Sequence, residues 1–354
     1  VLFRLYPPHE GRGKPRIDIN TGFPVEEHGQ FIATLVPVDE EITRCGGRFW
    51  RAMAGMVACL ISLGATAQAA GQATATVSTY TAPVELVRAA VANEDAAGND
   101  TSIKHMFRSR KQSHGGTQTR LFVETRDAIA ALTIAYDDHP LTPQQAQEEQ
   151  ARLDHLKSSP DELALKRTKE KIDAERTGRI MRALPDAFLY EYAGTEKSSP
   201  GMGKDGDELV RLNFRPNPAY TPPSRVEEVL RGMQGFVLID ATARRLAKID
   251  GVLFKEVSFG WGIFGHLDQG GHFGVDQAAL ADGSWEISRL QLSFTGKVLL
   301  FKSLNISADE VFSDFQRVPA DITFAKGVEM LKAEEARLAA EHNPEAAAAA
   351  LKAH

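Results

Sequence analysis

Residues 259–273 hold the densest run of side chains able to do chemistry. Phe259, Trp261, Phe264 and Phe273 alternate with five glycines (260, 262, 265, 270, 271) and with His266, Asp268 and His272. Aromatic rings on flexible backbone suit a lip that touches an apolar ligand or a membrane, because Trp and Phe offer large apolar area. The plainer reading is a long hairpin loop whose rings plug one end of a core. His266, Asp268 and His272 are N/O groups close in sequence, which makes them candidate metal ligands. Nothing elsewhere in the chain supports a metal, and no cofactor is expected. Gly260, Gly262 and Gly265 have G-x-G-x-x-G spacing, but no long helix follows, so a dinucleotide loop does not fit.

Other chemistries are missing from the sequence. It contains no G-x-S-x-G, H-E-x-x-H, P-loop or paired-carboxylate signature. The expectation is a binding protein and not an enzyme. The net charge is −6, against the basic footprint that nucleic-acid binding requires. Lys166 to Arg179 mixes both signs and reads as a solvated helix face. With 43% hydrophobic residues the chain is able to build a sizeable core.

Localisation is written fifty residues in. Arg44, Arg48 and Arg51 precede an uncharged apolar run, Ala52 to Leu63, and Ala67-Gln68-Ala69 follows as an A-x-A site. Basic, short apolar and small-residue parts in that order read as a signal peptide spanning 44–69. The run is shorter than the roughly 20 residues a bilayer crossing needs. Residues 1–43 then read as an extension outside the domain, with Val38 a candidate start. Cleavage after Ala69 removes Cys45 and Cys59 and leaves about 285 residues, periplasmic or secreted, with unchanged net charge. Cys59 is a weak candidate for lipidation.

The remaining chain supplies the elements that would hold a site. Residues 82–93 have helical spacing, and strands are expected at 104–112, 119–125 and 128–136. Thr142-Pro143 and Ser159-Pro160 each open a helix with a capping residue and a proline in the first turn. The second helix carries a thin stripe of Leu165, Ile172, Ile180 and Leu184 and should stop at Pro185. Period two returns at Phe188. Strands are expected at 209–214, 226–233, 235–240, 247–249, 251–257, 272–278, 285–293 and 297–303. Asp282-Gly283 and Thr295-Gly296 are the tight links. Asn99-Asp100-Thr101, Asn305-Ile306-Ser307 and Ser313-Asp314 read as turns. Residues 323–340 form a C-terminal helix, and 331–354 end in an Ala-rich tail. Short strands at near ten-residue spacing indicate one antiparallel meander.

The run Gly235-Phe236-Val237-Leu238-Ile239-Asp240, a polar turn, and Leu246-Ala247-Lys248-Ile249-Asp250-Gly251 resembles the strand–Asp–turn–strand hairpin of LolA-like, lipoprotein-sorting secreted proteins. Phe312-Ser313-Asp314-Phe315-Gln316-Arg317-Val318-Pro319 resembles uncharacterised relatives of that type. The similarity covers about residues 82–330. It implies an α+β fold: a strongly curved antiparallel sheet, an unclosed half-barrel over residues 70–330, with helices covering its concave face. The covering helices would be 160–184, within an insertion at 142–184, and the C-terminal helix. The partner implied is an acyl chain, lipid or lipoprotein, with transient membrane contact at most. An envelope-protein interaction module is the alternative. The long insertion and the Ala-rich tail depart from the small-carrier pattern.

Overall fold

The computed structural model describes residues 82–259, 265–298 and 302–342. The basic–apolar–small segment, Val38, both cysteines, Trp261 and Phe264 lie outside these residues.

The fold is α+β, built on an unclosed antiparallel sheet of thirteen strands. The first helix, α1, spans Pro83–Asn99 and buries Val87, Ala90, Val91 and Glu94, one stripe at helical spacing. Four strands follow: β1 His105–Ser113, β2 Gly116–Val123, β3 Ala130–Tyr136 and the two-residue β4 His139–Pro140. Then come α2 Pro143–Ser158 and α3 Pro160–Ala187. The second meander is β5 Phe188–Lys197, β6 Glu208–Pro216, β7 Met233–Asp240, β8 Arg245–Leu253, β9 Val257–Phe259, β10 Gly265–Leu267, β11 His272–Ala279, β12 Trp285–Val298 and β13 Lys302–Arg317. Helix α4, Phe324–His342, closes the described chain.

The sheet order is β4-β3-β2-β1-β13-β12-β11-β8-β7-β6-β5, with β10 joining β9 to β12. Two meanders therefore meet at a seam where β1 pairs with β13, His105 opposite Arg317 and Ser109 opposite Phe312. The chain leaves the first meander at one sheet edge and enters the second at the other. Ten strand spacings separate those edges, about 48 Å along a flat sheet. Helix α3 has 28 residues and reaches about 42 Å. The insertion is thus the bridge that makes the topology possible. Glu170, the eleventh of the helix's 28 residues, accepts from the Ile129 amide at 3.2 Å, and the end of the helix runs into β5.

Side-chain alternation divides the sheet into two faces. The inner face, under α1 and α3, carries Leu212, Val237, Ile249, Phe294 and Leu304, packed against Val87, Ile180 and Leu184. It continues across the seam through Phe107, Phe122 and Phe312. Helix α4 and Leu153 of α2 cover the opposite face of β1–β3, through Met106, Leu121, Val123 and Leu132. The C-terminal helix therefore does not lie over the inner face. Met106 and Phe107 are adjacent on one strand and must point to opposite sides.

The signalled caps have different fates. Thr142 makes the full capping box with Gln145. Ser159 makes no side-chain cap, because α2 and α3 abut there and it serves both. Pro185 lies inside α3, which runs two residues further, to Ala187. Of the expected stripe, Ile180 and Leu184 are buried, whereas Leu165 and Ile172 are exposed at 69% and 46%. Residues 227–232 form a 3₁₀ turn and not a strand. Val226, Val229, Leu230 and Met233 are buried at helical spacing, and Glu227 is held by Arg179 at 2.8 Å.

Thr295-Gly296 sits inside β12, and its glycine serves a close approach: a Cβ there would lie 2.1 Å from the His266 carbonyl oxygen. Asn305-Ile306-Ser307 lies within β13. Asp314 does have left-handed φ, 58°, where the β1–β13 register slips. In the β7–β8 hairpin, Asp240 Oδ1 accepts from the amides of Thr242 and Ala243 at 2.9 and 2.8 Å. Gly235 is required there, since a Cβ would meet the Asp250 carbonyl oxygen at 1.9 Å.

Candidate functional site

The aromatic lip is divided by the fold. Phe259 is buried at the end of the inner-face core, beside Val257, Leu267 and Phe294. Phe273, on β11, is half-buried and touches both inner-face clusters. The three candidate metal ligands do not converge. His266 Nε2 lies 3.3 Å from Asp268 Oδ1, and Asp268 Oδ2 accepts from the Thr295 hydroxyl at 2.7 Å. His272 pairs instead with Asp250 on β8, at 3.3 Å. The turn before β11 separates the two histidines. Among the described residues no group of three metal-ligating side chains forms.

What the structure brings together on the inner face is a row of buried ionisable groups. His105 is 1% exposed. Its Nε2 lies 3.1 Å from Asp282 and 3.4 Å from the Ser284 hydroxyl, and its Nδ1 lies 3.1 Å from Glu286. Ser, His and acid in contact suggest a nucleophilic triad. The hydrogen bonds argue against one. Asp282 occupies the Nε2 that would take the serine proton, and Ser284 donates to Asp282 at 2.6 Å. Burial pulls His105 down, but Glu286, Asp282 and Glu124 outweigh it and raise the group from 6.5 to about 9. A protonated imidazole between two carboxylates is a clamp joining β1 to the β11–β12 turn, not a general base.

The clamp has a pH signature. His105 gains affinity for its proton on folding, so its contribution is full below 6.5 and lost as pH rises through about 9. Glu286, pushed up by burial, acts in the same sense. Urea midpoints should fall between pH 6 and 9.5 in the wild type and fall less in His105→Gln. Glu310 adds its own loss between 4.5 and about 8, so the difference between the two proteins is the quantity to read. Equal slopes would remove the clamp from the account.

Two further groups complete the row. Glu94 of α1 accepts from Arg245 Nε and Nη2 at 2.8 Å each and from the Leu246 amide at 3.0 Å. Glu310 of β13, 1% exposed, accepts from the Ser109 hydroxyl. Burial raises Glu310 to about 8, against Ser109, Lys111 and Arg120, which favour its charge. A signal for Glu310 was present in the sequence. It occupies the same strand parity as Ile306, Ala308 and Phe312, a carboxyl in an apolar register.

Between the packed clusters runs an apolar strip on the inner face: Phe273, Leu290, Leu292 and Ile306, each half-buried. Phe273 is opposite Leu292, and Leu290 is opposite Glu310. A separate depression of about 440 Å³ lies over β1, β13, β12 and β11. It is lined mainly by polar side chains, among them Gln112, His114, His272, Gln291, Ser293 and Asp309. Its polar lining gives an acyl chain little to bury against.

Comparison with known proteins adds little to this geometry. No family model matches the chain, and no curated protein matches it. Among solved structures, it is similar to a DUF1329 family protein from Desulfovibrio piger, at 9% identity and a TM-score of 0.25, over 67% of this chain and 93% of that one.

Proposed function

We propose that this chain is an extracytoplasmic, non-catalytic binding protein of LolA-like type, which holds an acyl chain, lipid or lipoprotein on the inner face of its sheet. The observation that carries this reading is the half-buried strip of Phe273, Leu290, Leu292 and Ile306. Four apolar side chains on three adjacent strands offer continuous contact to a linear ligand, and burial at about 25 cal/mol per Å² drives its binding. Of the four aromatics expected at a ligand-contacting lip, Phe273 lies in this strip, Phe259 is buried in the core beside it, and Trp261 and Phe264 lie outside the described residues. The order of Arg44–Arg51, Ala52–Leu63 and Ala67–Ala69 supports export. Among the described residues no helix is long and apolar enough to cross a membrane.

Native mass spectrometry of the purified protein tests the reading. Lipid should co-purify, and Leu292→Glu should abolish it while leaving the protein folded. A protein that carries no lipid and takes up none from vesicles would refute it. A second reading, an envelope-protein interaction module, draws on Leu165 and Ile172, which are exposed on α3. Partners crosslinked through α3 in a lipid-free protein would favour that alternative.

A further inference from the structure

Buried polar groups are almost always hydrogen-bonded, and the exceptions call for an explanation. Glu310 is such an exception. It is buried, one oxygen accepts from Ser109, and the other, Oε2, has no hydrogen-bond partner among the described residues. Directly across the ladder stand Leu290 on β12 and Lys111 on β1. Arg120, on β2, lies close enough to act on its charge. On α3, Lys166 and Glu170 pair with each other at 2.9 Å, and Glu170 accepts from the Ile129 amide at 3.2 Å.

We infer that Glu310 anchors the carbonyl end of the acyl ligand: one of its oxygens is held by Ser109, and the other, unpaired, meets the ligand's carbonyl or carboxyl group. The inference rests on the acyl-binding reading above and adds the chemistry of the ligand's head. Three observations carry it. The unpaired oxygen is itself buried. In its protonated form, a carboxyl that accepts through Oε1 carries its proton on Oε2, so the unpaired position is then a donor and calls for an acceptor. The group also lies at one end of the apolar strip, whose far member on the same strand, Ile306, is four residues and about 14 Å away. A chain lying on the strip would thus place its polar head against Glu310. Burial favours the protonated form, holding the group near 8. Lys111 and Arg120 add positive charge beside it, which an anionic head would also meet.

The test uses the full-length protein, delipidated, with monopalmitin and palmitate as probes in titration calorimetry. Glu310→Gln keeps an acceptor for Ser109 and an N–H donor, while Glu310→Met removes both. Expected is wild-type affinity for Glu310→Gln and roughly tenfold weaker binding for Glu310→Met, the value of one hydrogen bond to a buried group. Circular dichroism confirms that each variant is folded. Monopalmitin does not titrate between pH 6 and 9.5. Its binding should weaken over that range in the wild type and stay level in Glu310→Gln. Stronger dependence on Glu310 for palmitate points to a free acid, and for monopalmitin to an ester. Equal binding by all three proteins overturns the head-group anchor but leaves acyl binding standing. No binding of either probe by the wild type overturns both.

Discussion

Phe107→Ala should cost about 3–5 kcal/mol of stability, the range for removing a buried aromatic ring. Phe107 is 1% exposed and lies on the seam strand. Its ring stacks on Phe122 at 5.0 Å and on Phe315 at 5.4 Å, and meets Phe312 edge-on at 6.2 Å. One side chain therefore ties β2, β1 and β13, the three strands across which the two meanders are joined. Three rings packed around the site relax only in part, so a cavity should persist. Urea unfolding measures the loss. Val311→Ala is the control: it is on β13, 44% exposed, and should be within about 0.5 kcal/mol of wild type. A Phe107 variant as stable as that control would mean the seam is not where the meanders are held.

Glu94→Ala should cost a similar amount, about 3–5 kcal/mol, because it removes one partner of a buried ion pair and leaves the other. The Glu94 side chain is 2% exposed and that of Arg245 is 14% exposed. The carboxylate also accepts from the Leu246 amide and lies 3.3 Å from the Gln277 side chain. Removing it strands a guanidinium and a backbone donor under α1. The double variant Glu94→Leu/Arg245→Met should recover much of the loss, since apolar replacement of both partners is often neutral. Thermal midpoints of the three variants decide the point. If the double variant is no better than Glu94→Ala, the penalty lies in packing under α1 and not in the unpaired charge.

Much of the sheet was legible in sequence, because period-two alternation is enforced residue by residue by the pleat. The hairpin β1–β2, the β7–β8 turn at Asp240 and the Asp282-Gly283 link follow directly from it. Misreadings fell where one residue type serves two purposes. Gly296 looked like a turn and is instead a close approach to His266. Val226 to Met233 is short for a helix, yet its apolar residues already have helical spacing. The seam was invisible, because pairing between residues some two hundred positions apart leaves no local periodicity. For the same reason only part of the site is legible in the sequence. Phe273 came from local composition. Glu310, His105 and Glu94 acquire meaning only once distant strands are adjacent, and a lone charge in an apolar register is easily passed over.

The seam has a consequence for the order of assembly. Ser109 and Glu310 meet across 201 positions of chain. The first meander is synthesised before the strand that will flank β1 exists. Until β13 arrives, β1 is an edge with a row of open amides and carbonyls, the feature that invites pairing with other chains. Closing a loop of that length costs roughly 5 kcal/mol in chain entropy before any seam contact forms. The middle of the finished sheet is therefore the last part of it to be built.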